Sequence, residues 1–93
     1  MPAHNESQPV AAEVLLMGNL EDLRVIRQWH YDQYYDYARR ASEMQKKSDN
    51  RIFERDSRDA FERTAQGYRT KANQHLRFVR TLNQFFPAHD KVQ

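Results

Sequence analysis

The side chains with the widest chemical reach in this chain are two histidines, His30 and His75, an aromatic run from Trp29 to Tyr37, and an arginine-rich stripe from Arg69 to Arg80. Imidazoles bind transition metals and move protons. Exposed aromatics anchor protein interfaces, and arginines at helical spacing neutralise phosphates. Each chemistry depends on which groups the fold brings together.

Metal binding is the least supported. Both histidines fall on apolar helix seams, where they read as core histidines hydrogen-bonded to tyrosine. If the chain folds back near residue 49, facing residues have numbers adding to roughly 98, which sets His30 opposite Tyr68 and His75 opposite Leu23. The two rings are then about 10 Å apart by helical rise, too far to share an ion. There is no cysteine and no Glu-x-x-His or His-Glu-x-x-His pattern, so thiolate sites, di-iron bundles and zincins lack a ligand set. A glycine-rich phosphate loop and a Gly-x-Ser-x-Gly elbow are absent from the sequence as well. No metal, cofactor or catalytic residue is expected, and the chain reads as a non-enzyme.

The aromatic run Trp29-His30-Tyr31-Asp32-Gln33-Tyr34-Tyr35-Asp36-Tyr37 points rings in nearly every direction around a helix. One partner helix cannot cover them all. With Tyr34 and Tyr37 on the inside, Trp29, Tyr31 and Tyr35 lie on the flanks as candidate protein-binding residues, joined by Arg77 and Arg80 on the facing helix, which would orient the partner. Phe78 and Phe85 add apolar surface at the same open end and are the candidates for self-association. Arg69, Asn73, Arg77, Arg80 and Gln84 form a polar stripe, and no acid occurs between Arg63 and Phe86. Arg69, Asn73, Arg77 and Arg80 are therefore the candidate nucleic-acid contacts, against the plainer reading of a solvated face partly neutralised by Glu21 and its neighbours.

The elements that must position these residues are helices. Charged residues make up 30% of the 93, with only two glycines and three prolines, a balance suited to solvated helices and poor for β-turns. Between Val10 and Phe86 there is no proline at all. Phe61, Ala65, Tyr68, Ala72, His75, Val79, Leu82 and Phe86 recur at spacings of four and three, a packing seam. Leu20 and Leu23 open an earlier apolar face behind an Asn19 cap, and Tyr34, Tyr37, Ala41 and Met44 continue it. The two seams differ in phase, and a turn at Ser48-Asp49-Asn50 reconciles them, with Asp49 or Asn50 capping the second helix. The competing architecture is one bent helix of nearly 70 residues in a dimeric coiled coil.

The expected fold is all-α: two long antiparallel helices in a helical hairpin, with Val10 to Met17 as a short N-terminal helix or arm, assembling into a dimeric four-helix bundle. It forms a single domain over 1–93, with 1–9 and 87–93 as flexible tails. Residues 1–37 carry six acids and two bases, whereas 38–93 carry thirteen bases and seven acids. The folded halves should then attract, Glu21 beside Arg77 and Asp32 and Asp36 near Arg63 and Arg69. The eight-residue apolar run is too short to cross a membrane, and the lack of cysteine suits a reducing, cytoplasmic setting. The function expected is non-enzymatic binding of a partner protein, as adaptor or inhibitor of a larger bacterial or viral complex. The alternative is a dimeric hairpin that binds RNA or DNA through the basic stripe.

Overall fold

The computed structural model describes residues 20–92. Helix α1 spans Leu20–Asp49 and helix α2 spans Arg55–Asn83, and a short 3-10 turn, Ala88–Asp90, follows. The helices pack on each other as an antiparallel hairpin, so the continuous bent helix is not the architecture. The expected tail 1–9, the Val10–Met17 arm and the Asn19 cap lie outside the described residues.

Local chemistry accounts for both helices. Glu21 and Asp22 occupy the first turn of α1, and Lys46 and Lys47 its last, each where the helix dipole favours that sign of charge. On its outer face Arg39 binds Asp36 and Glu43, both at 2.8 Å, while Arg40 reaches Asp36 at 3.0 Å. Helix α2 runs without interruption through Gly67 and stops where Pro87 can no longer supply an N–H.

The reversal occupies residues 50–54, slightly beyond the expected Ser48-Asp49-Asn50. Asn50 does not cap α2, as the sequence suggested; its Oδ1 accepts from the Ile52 N–H at 3.0 Å, an Asx turn. The Phe53 N–H closes on the Asn50 carbonyl at 3.2 Å, and Glu54 is the residue at the N-cap of α2. No described residue has a positive φ. That is why a turn without glycine suffices.

The later turn changes which residues face each other. His30 lies beside His75 and Tyr37 beside Tyr68, and each pair sums to 105 rather than 98. Glu21 therefore comes opposite residue 84, about 10 Å of rise beyond Arg77. The expected acid–base ladder across the hairpin is replaced: Glu21 pairs with Arg24 and Asp36 with Arg39 and Arg40 in their own helix, and Arg69 donates to neutral Gln45 at 2.5 Å.

The core is thin. Its buried apolar residues are Ala41, Ala65, Ala72, Val79 and Phe86, of which Val79 is the largest with no exposed surface. A fully buried valine contributes about 1.5–3 kcal/mol and an alanine less, so half-buried aromatics along the seam supply much of the remaining apolar contact.

Residues 87–92, expected to be a polar tail, lie back against the hairpin. Asn83 reads the backbone of Val92 from both sides, its Nδ2 donating to the carbonyl at 2.6 Å and its Oδ1 accepting from the N–H at 3.3 Å. Arg27, only 5% exposed, donates to Asn83 Oδ1 at 3.0 Å and to the Asp90 carbonyl at 2.7 Å. Its guanidinium sits 3.8 Å from the centre of the Phe86 ring, so the buried charge is satisfied by bonds at its rim and a π-face below.

Candidate functional site

The register places the two histidines together. His30 Nδ1 and His75 Nδ1 are 2.8 Å apart, and the expected separation of 10 Å and the tyrosine partners are both overturned. Phe78 stacks on His30 at 4.7 Å, Tyr37 stacks on His75 at 5.7 Å, and Trp29 meets both imidazoles edge-on. Burial, with the neighbouring His75 adding to it, pushes the His30 pKa below its ordinary value. Among the described residues no cluster of three or more His, Cys, Asp or Glu is placed to hold a metal ion.

The candidate binding residues divide between two faces. Trp29 and Tyr35 are six residues apart, a rotation of 600°, so their side chains diverge by about 120° around α1. Trp29 belongs with the histidine layer and with Phe78. Both are about half exposed, 53% and 54%, and Val25 and Ile26, one turn before Trp29 on α1, are exposed as well. These four make a contiguous apolar patch at the open end. Phe85 is half-buried in the turns that end α2.

Tyr35 belongs to the opposite face. It is exposed and stacks on Tyr31 with centroids 5.0 Å apart and planes only 4° from parallel, with Tyr34 adjoining. The Tyr31 and Tyr35 hydroxyls are 3.5 Å apart, and the Tyr31 pKa lies above its usual value, first through its hydrogen bond with Tyr35 and then through burial. Beside the cluster runs an open groove of about 390 Å³, walled on α1 by Tyr34, Ala38, Ser42 and Gln45 and on α2 by Arg69 and Asn73. Its floor is Ala41 and Ala72, which explains the concavity: alanine leaves a furrow where larger seam residues would fill it.

Arg69, Asn73 and Arg80 are four and eleven residues apart and share one strip of α2 within about 40°. Arg77 stands away from that strip; with Phe78, Gln74 and Thr81 it borders a hollow made by α2 alone. The sequence stripe is thus split, Arg69, Asn73 and Arg80 toward the groove and Arg77 toward the outside of the hairpin. Sequence reasoning missed Arg27 and Asn83, because an arginine on a seam normally signals a solvated position.

No helix among the described residues is long and apolar enough to cross a membrane. Comparison with protein-family models, with curated proteins and with solved structures finds no match to this chain.

Proposed function

We propose that the chain is a non-enzymatic helical interaction protein that docks a partner protein on its open-end apolar patch, as an adaptor or inhibitor of a larger complex. The observation that carries this reading is the patch itself: Val25, Ile26, Trp29 and Phe78 are between 46% and 68% exposed on one side of a hairpin whose own core is mostly alanine. Large apolar side chains gathered around a histidine layer are costly to hydrate, and a helix laid across them removes them from water. In the absence of another partner a second copy closes the patch, and two hairpins joined there make a four-helix bundle.

Analytical ultracentrifugation tests this directly. The unmodified chain should sediment as a dimer at tens of micromolar, and Phe78→Ser with Phe85→Ser should return it to a monomer of unchanged helicity. A monomeric unmodified chain at that concentration overturns the bundle. For the partner, Trp29→Ala should abolish capture of the protein that the unmodified chain retains from lysate, and full retention by the variant overturns the patch as the dock.

A further inference from the structure

The face that the apolar patch leaves free is chemically unlike it. Tyr31 and Tyr35 present a stacked pair, Tyr34 adjoins them, Arg69 and Asn73 wall the groove on α2, and Arg80 continues their strip toward the open end by helical spacing. By helical spacing the α1 acids Asp32, Asp36 and Glu43 point about 100° or more away from Tyr31. Asp36 and Glu43 are moreover held by Arg39 on the outer surface. On α2 no acid follows Glu62 before the helix ends. Glu62 lies at the turn end, where bonds from Gln45 and Gln66 and the charge of Arg69 hold its pKa below the usual range, so it offsets Arg69 only at that end of the groove. Glu21, the acid expected to neutralise the arginines, is occupied with Arg24. Asp49 shares the direction of Tyr31 but lies at the turn end, bonded by Gln45; Asp90 lies at the open end against Arg24; and Asp32, about 60° round the helix from Tyr35, accepts from Gln28. The middle of the face between them is aromatic on α1, with Arg69 and Asn73 across the groove.

We infer that this groove face binds single-stranded nucleic acid, with bases stacking on Tyr35 and the backbone phosphates running past Arg69, Asn73 and Arg80. Stacking accepts any base because every base has a π-face, and guanidinium groups track the backbone without reading sequence. The Arg69 guanidinium has five N–H donors and uses one of them on Gln45, so donors remain for a phosphate. Tyr31 stiffens Tyr35 by stacking beneath it, which reduces the entropy lost when a base arrives. From Gln45 to Val25, the level of Arg80, the face extends about 30 Å of helical rise, room for a short run of nucleotides. A duplex keeps its bases inside and offers the tyrosines nothing to stack on. Selectivity for single strands follows.

Fluorescence anisotropy of a labelled oligothymidylate with the full chain tests the proposal. Binding should be seen at about 50 mM salt and fall steeply as salt rises. Tyr35→Ala should weaken it about tenfold, and Arg80→Ala should weaken it and lower the slope of log affinity against log salt by about 0.7. Phe78→Ser, on the opposite face, should leave affinity per chain unchanged, which separates this site from the protein-docking patch. No binding at low salt overturns the inference. So does duplex DNA or heparin bound as tightly as the oligonucleotide, or a Tyr35→Ala variant that binds like the unmodified chain.

Discussion

His30 Nδ1 lies 2.8 Å from His75 Nδ1, so one imidazole donates to the other and the two cannot both carry a proton on that atom. The groups around the pair are Trp29 and Tyr37 from α1 and Phe78 from α2, with Arg40 of α1 and Lys71 of α2 at 5.8 and 5.6 Å from the centre of the Tyr37 ring. None of these is an acid that would stabilise a second positive charge. The lowered His30 pKa means that the unfolded chain binds protons more readily than the folded one. Stability is complete above the ordinary histidine value of about 6.5 and is lost as pH falls through the lowered folded value. Melting temperature followed by circular dichroism should therefore drop between pH 7 and 5. His30→Gln should flatten that drop; a variant with the same pH profile would show that the pair is not its origin.

The buried Arg27 ties α1 to the last residues of the chain. Arg27→Ala removes two charge-assisted hydrogen bonds and the cover over Phe86, for an expected loss of about 2–3 kcal/mol. On a chain of this size that is a fall in melting temperature of about 10 °C or more. Hydrogen exchange should show 87–92 losing protection first. A related acid effect comes from Asp90: its bond to Arg24 holds the carboxyl below the usual range, so its contribution is present above about pH 3.9 and lost as pH falls further.

Gly67 lies inside α2 without a structural demand for glycine. Its φ is negative and a Cβ built there meets nothing within 4 Å. Gly67→Ala should stabilise the protein by about 0.5–1 kcal/mol, through helix propensity and a less mobile unfolded chain. Urea denaturation measures it as a higher midpoint with an unchanged slope. A destabilised variant would mean that Gly67 serves an interface between copies.

Trp29 and Tyr35 stand on different faces of α1, so their effects on binding should be independent. For two contacts on one ligand the losses from Trp29→Ala and Tyr35→Ala would couple. Here each variant should affect one ligand, and the double variant should equal the sum within about 0.5 kcal/mol. Coupling beyond that, measured by titration calorimetry, would place both rings under a single partner.

The faces of the hairpin were legible in the sequence and the partners were not. The 4,3 spacing picked out Ala65, Ala72, Val79 and Phe86, which are buried. Moving the turn from 49 to 50–54 changed the pairing sum from 98 to 105. A shift of seven is two helical turns, so every seam residue kept its face while gaining a new neighbour. That is how His30 and Tyr37 could be placed correctly on the inside and still be assigned the wrong contacts. Arg27 escaped notice for another reason: its burial depends on Asn83, Phe86 and the backbone of Asp90 arriving together, and no local pattern encodes that convergence. Tyr31, Tyr35 and Arg80 were picked as surface residues by type; that Trp29 stands on another flank of α1 follows from helical spacing alone, whereas which α2 residues lie level with each ring depends on the register of the folded hairpin.

Ala41, Ala65 and Ala72 leave the hairpin with little room for sequence drift along its seam. Nothing can be trimmed there except to glycine, at a cost in helix propensity, and any larger side chain must wedge the helices apart. A wedge at Ala72 would also fill the furrow between Tyr34 and Asn73. Positions on the tip such as Ile52, 81% exposed, carry no such restraint. Mutational tolerance should thus rise steeply from the midpoint of the hairpin toward its turn, so that a saturation library of that half would show narrow intolerant positions at the seam alanines set in a permissive surround.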